Sequence, residues 1–121
     1  PTSFLVSSIV ILVLDYVYLT LTKHYFSRLV QIIQGSPLKM RVLSAGVTYI
    51  FLIFALQYFI FNRESEDKVK DAFFLGLCIY GVFDLTNRTI FKDWSLMAVV
   101  MDTLWGGMLF AGTTYITLKL L

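Results

Sequence analysis

Two stretches of this sequence carry no charged residue for longer than a soluble domain can readily hide: FLVSSIVILVL (4–14) and GVTYIFLIFALQYFIF (46–61). Each approaches the ~20 residues that carry a helix across a bilayer core at ~1.5 Å rise per residue. Composition agrees. The 121 residues are 58% hydrophobic and 15% charged, where a soluble domain is about a quarter charged. The expectation is one integral membrane domain over residues 1–121, with the lipid bilayer as its main partner. A net charge of +2 gives no case for nucleic acid as a partner.

Four spans follow from the apolar runs and their polar punctuation, at about 4–22, 38–61, 66–88 and 94–118. The first is read as a retained span, since no basic residue precedes it and Asp15 interrupts it. Lys23 and His24 are expected to end it. Residues 24–34 then repeat apolar side chains at helical spacing over too short a length to span, which predicts a short interfacial helix. Gly35 stops it, and Ser36-Pro37 looks like the start of the next helix. Ser65 and Asp93 are the expected caps of spans 3 and 4, and Trp94 is expected in an interfacial aromatic belt. The expected fold class is an all-α membrane four-helix bundle. Connections 1–2 and 3–4 hold Lys23, Arg28, Lys39, Arg41, Arg88 and Lys92, against Arg63, Lys68, Lys70 and Lys119 on the other side. Lys/Arg bias therefore puts connections 1–2 and 3–4 in the cytoplasm; which membrane is not specified.

Three acids stand inside the spans: Asp15, Asp84 and Asp102. A charged Asp at a helix centre costs about 2.5–3.5 kcal/mol on insertion scales, so such residues face the bundle interior. Asp15 lies eight residues before Lys23, Asp84 eight before Lys92, and Asp102 nine after Asp93. Each is then about 12–14 Å from the same membrane face. Three carboxylates at one depth repel if all are ionised, unless a proton or a cation is shared. On span 3, Tyr80, Gly81, Asp84, Asn87 and Arg88 fall near one stripe, with Thr86 beside them. On span 1, Asp15 and Tyr18 do the same, and on span 4, Asp102 and Trp105. Asp15-x-x-Tyr18 and Asp102-x-x-Trp105 echo each other. A purely architectural role competes with a binding role: Asp84 can pair with Arg88 at i, i+4, and the other acids can accept bonds from neighbouring Tyr or Trp.

Gly81, Gly106, Gly107, Ala111 and Gly112 offer small faces for close helix packing. The single histidine, His24, and single cysteine, Cys78, leave no basis for a multi-histidine metal centre or an internal disulfide. No cofactor or metal is implied, and no nucleophile with a base beside it argues for an enzyme.

The motifs LDYVYL, YGVFDLTN and DTLWGG resemble the signatures of the DUF2177 family of small membrane proteins, found in bacteria and in some large DNA viruses. The matching residues are Leu14, Asp15, Tyr18 and Leu19; Tyr80, Phe83, Asp84, Leu85, Thr86 and Asn87; and Asp102, Trp105 and Gly106. Tyr18 and Ser95 stand where the family often has Trp and Pro. The resemblance implies a multi-pass membrane architecture and picks out the same three acids. It implies no reaction. The leading expectation is a structural or assembly component of a membrane or membrane complex, including an internal viral membrane, with a homo-oligomer or a larger complex as its setting. The alternatives are a proton- or cation-coupled small transporter or channel, and an accessory to a membrane-lipid enzyme.

Overall fold

No proline or glycine stands between Thr2 and Gln34, and in a computed structural model, which describes residues 2–121, helix α1 runs unbroken over Thr2–Gln34. The separate interfacial helix is therefore corrected. Lys23 and His24 are polar, but they do not break a helix. At 33 residues α1 is about 50 Å long, well beyond a ~30 Å hydrocarbon core. Its last turns pack on the connection between the third and fourth helices: Leu29, Tyr25, Phe26 and Ile33 gather around Trp94, Ala98 and Val99. Gly35, at φ +76°, ends α1, with its N–H on the Gln31 carbonyl at 2.9 Å.

The Ser36-Pro37 pair does not open the next helix. The Gln34 amide donates to the carbonyls of Ser36 and Pro37 at 3.1 and 3.0 Å, holding both in the turn. Helix α2 begins later, at Val42–Leu56, after an extended Arg41 and with no side-chain cap. It ends in a π-helical turn, Gln57–Phe61, closed by Asn62 N–H on the Gln57 carbonyl at 2.9 Å. Helix α3 spans Lys68–Ile90, and its cap is Asp67, which accepts the Lys70 N–H at 3.0 Å. Ser65 instead accepts the Asp67 N–H at 3.3 Å and bonds to Asp71. Helix α4 spans Leu96–Leu120, capped by Ser95 accepting from Ala98 N–H at 3.0 Å. Asp93 lies too early to reach that turn. All regular structure among the described residues is helical.

Among the described residues, three of the four helices are long and apolar enough to cross a membrane: Thr2–Gln34, Val42–Phe61 and Leu96–Leu120. Helix α3 has the length but not the apolarity, and it is the one most thoroughly joined to a neighbour, α4. Small residues allow this. A Cβ on Gly76 would overlap the Gly106 carbonyl and come within 2.9 Å of Phe110 Cβ, and a Cβ on Gly107 would come within 2.9 Å of Phe73. Gly81 leaves just enough room for Thr103, and Gly112 only ordinary contact space beside Leu14; Ala111 is half-buried. The tight seam therefore runs through Gly76, Gly106 and Gly107. Helix α1 packs on α4, while α2 touches its neighbours more lightly. Ile11, Leu56, Leu109 and Phe110, all fully buried, form the apolar centre. Large apolar side chains such as Val13, Phe51, Phe74 and Met108 point outward, as lipid contact requires. Cys78 is also exposed, not packed inside.

Candidate functional site

The echo between the first and fourth helices has a geometric meaning. On each helix an acid and an aromatic donor stand at i, i+3 and so share a face. The two pairs cross-connect. Trp105 Nε1–H donates to Asp15 Oδ1 at 3.0 Å, and Tyr18 O–H donates to Asp102 Oδ1 at 2.9 Å. The two aromatic rings stack between these bonds, 4.7 Å apart and 5° from parallel. This reciprocal clasp fixes α1 against α4 in register and rotation. The second oxygen of Asp15 accepts the hydroxyl of Tyr49 from α2. One carboxylate thus ties three helices, and it is buried at 6% exposure.

Asp84 is different. It is 0% exposed, and neither carboxylate oxygen accepts a well-formed bond from an N–H or O–H. Asp102 and the Trp94 indole lie within bonding reach, so a single proton can bridge Asp84 and Asp102. The Trp94 Nε1–H is itself buried without a well-formed bond. Two charged carboxylates side by side in a low-dielectric interior repel strongly. A shared proton or a bound cation removes that repulsion. Protein cations do not: the partners of Asp15 and Asp102 are Tyr49, Trp105 and Tyr18. The Arg88 guanidinium donates to the Trp94 carbonyl at 2.8 Å, so the Asp84–Arg88 pair of the architectural alternative does not form. Arg88 lies at the helix end, where a backbone carbonyl is nearer than the buried acid.

The stripe read from YGVFDLTN therefore divides. Tyr80, Gly81 and Asp84 face inward. Thr86 is exposed, because two residues beyond Asp84 is about 200° around the helix. Asn87 is half-buried, and its carbonyl takes the Phe91 N–H at 2.7 Å as the helix ends. Trp94, expected at the interface, is buried at 8% exposure.

Two side chains of the site were not anticipated. Tyr49 sits in an uncharged run, but it lies eight residues after Arg41, the same interval that separates Asp15 from Lys23; comparing depths across all four spans would have found it. Trp94 carried no such signal, since an aromatic at a helix end reads equally well as a belt residue.

Two clefts reach this layer. One, about 260 Å³, is lined by Asp15, Tyr18, Tyr49, Tyr80 and Asp102 among others. The second, about 190 Å³, lies between α2 and α3, with Thr48, Leu52, Ile79, Tyr80 and Phe83 leading to Asp102. Among the described residues no three His, Cys, Asp or Glu side chains are placed to hold a metal ion.

No curated protein and no solved structure gives a significant match to this chain. A family model described as a predicted membrane protein, DUF2177, matches residues 2–119. With nearly the whole chain covered, and with apolar helices to match, this protein belongs to the DUF2177 family of predicted membrane proteins.

Proposed function

We propose that this is a four-span membrane protein whose interior carboxylates take up and release a proton or a monovalent cation, as a small carrier or channel. One observation carries the reading: Asp84 is fully buried directly against a second carboxyl, Asp102, and accepts no well-formed bond from an N–H or O–H, so the pair needs a proton or a cation between them. A group that served only to fix helix register would be satisfied by its neighbours, as Asp15 is. An unsatisfied buried carboxylate is costly in a membrane interior unless something else occupies the site. The fully buried apolar plug of Ile11, Leu56, Leu109 and Phe110 supports a site closed along the bundle axis on its far side. Phe110 follows Asp102 by eight residues on α4, about 12 Å farther along the helix. Helix α3 crosses too, as the third of four spans, its Asp84 hidden against α4. The Lys/Arg bias supports a cytoplasmic location for the α1–α2 and α3–α4 connections.

The test is flux in liposomes containing the purified protein. A pH step should drive proton or cation movement that Asp84→Asn abolishes while the variant remains folded. Equal flux from wild type, Asp84→Asn and empty vesicles would remove the proposal.

A second reading keeps the acids as architecture and the protein as a structural or assembly component of a membrane. The satisfied carboxylates of Asp15 and Asp102, clasped by Trp105, Tyr49 and Tyr18, favour it. Asp84 is what it leaves without a role.

A further inference from the structure

We propose that the cation this layer accepts is a compact organic cation, an ammonium bearing apolar groups, entering sideways from the bilayer through the clefts flanking α2. This rests on the carboxylate-exchange reading above and names its ligand class.

Four observations converge. First, charge: Asp15 and Asp102 line the larger cleft, Asp102 also the smaller, and no protein cation is among their hydrogen-bond partners. Asp84 stands beside Asp102 with no exposure and adds its charge to the layer without lining either cleft. Second, the walls are aromatic and aliphatic. Tyr18, Tyr49 and Tyr80 surround the acids of the larger cleft, and Leu52, Ile79 and Phe83 line the smaller. Ring faces attract soft organic cations, and apolar walls receive the groups such a cation carries. A hydrated alkali ion would find few polar atoms there to replace its water. Third, the lining of the smaller cleft comes from the middle of helices: Thr48 and Leu52 of α2, Ile79, Tyr80 and Phe83 of α3, and Asp102 of α4. Its mouth is therefore at membrane depth. Thr48 and Phe83 are exposed there, where a ligand dissolved in lipid would arrive. Fourth, the acids are not gathered as metal ligands. Asp15 and Asp102 are each bonded by one ring of the stacked Tyr18–Trp105 pair, which leaves aromatic surface rather than further oxygens around them. Volumes of 190 and 260 Å³ are below the usual ~300–1,000 Å³ of drug-sized sites, which sets the ligand as compact.

The experiment uses the full chain in lipid nanodiscs with benzyltrimethylammonium as the probe. Its neutral isostere, neopentylbenzene, is the control. Binding is read by saturation-transfer NMR and by isothermal titration calorimetry. The expected result is saturable binding of the cation and none of the isostere. Asp102→Asn should weaken it at least tenfold. Thr48→Trp, which keeps every acid but fills the cleft mouth, should abolish it. Equal binding of cation and isostere would overturn the proposal, as would binding unchanged in both variants. Absence of binding while Asp84-dependent flux persists would overturn this inference and leave the carboxylate-exchange reading standing. Absence of both would end both.

Discussion

Gly76→Ala tests the seam that holds the polar layer together. The added Cβ would lie 2.8 Å from the Gly106 carbonyl carbon and 2.9 Å from Phe110 Cβ, where ordinary contact begins at 3.4 Å. Neither neighbour can rotate away, since one is backbone and the other is fixed to its own main chain. The Gly106 carbonyl oxygen is nearer still, so helices α3 and α4 must separate by about an ångström or more, and close-packed interiors do not absorb that freely. Overpacking of this kind costs about 1–3 kcal/mol. The loss should also loosen Tyr80, which lies against Gly106, and with it the cleft wall. Gly46→Ala is the internal control. That site has nothing within 4 Å of an added Cβ, so it should gain up to about 1 kcal/mol from helix propensity. Thermal unfolding in detergent, followed by tryptophan fluorescence, should lower Tm for Gly76→Ala and hold or raise it for Gly46→Ala. Equal Tm for Gly76→Ala and wild type would show that the α3–α4 approach is not as close as described.

Removing Asp15 by Asp15→Asn leaves Trp105 Nε1–H or the Tyr49 hydroxyl facing an amide that cannot accept from both on the same terms. We expect a loss of about 0.6–2 kcal/mol, the range of membrane-interior hydrogen bonds, with Tyr49→Phe costing less because Trp105 keeps its partner; a double-mutant cycle checks whether the two losses couple. Asp84→Asn removes one of two adjacent buried carboxyls and keeps an amide donor for Asp102, so its unfolding midpoint should match or exceed that of wild type. Span topology is checked by thiol labelling in a Cys78→Ser background. Cysteines at Lys39 and Lys92 should label from one side of oriented vesicles and cysteines at Arg63 and Lys70 from the other. Labelling of Lys39 and Lys92 from opposite sides would mean that α3 does not cross as proposed.

The helices were legible because lipid makes their signal simple: long apolar runs leave little else to form. Their ends were less so. Ser36-Pro37 carries the right letters for a helix start, but the Gln34 side chain captures both carbonyls, a choice made by one rotamer and invisible in the sequence. Lys23 and His24 resemble a stop only if polarity is equated with a helix boundary. Polarity marks where a helix leaves lipid, whereas only Gly35 changes the backbone. In the site, the acids' shared depth could be counted from flanking charges, and the i, i+3 echo foretold two matching faces. That the faces would exchange donors, each aromatic serving the other helix's acid, depends on how α1 docks on α4. The separation of Arg88 from Asp84 depends likewise on where the connection before α4 places the Trp94 carbonyl.

The most direct measurement is infrared difference spectroscopy of the protein in lipid, following its carboxyl bands through a pH step and comparing wild type with Asp84→Asn. We expect an exchangeable carboxylic-acid band that disappears in Asp84→Asn and persists in Asp15→Asn. A wild-type protein with no exchanging carboxyl, or one whose spectrum Asp84→Asn leaves unchanged, would contradict the claim that the layer handles protons or cations and would return all three acids to architecture.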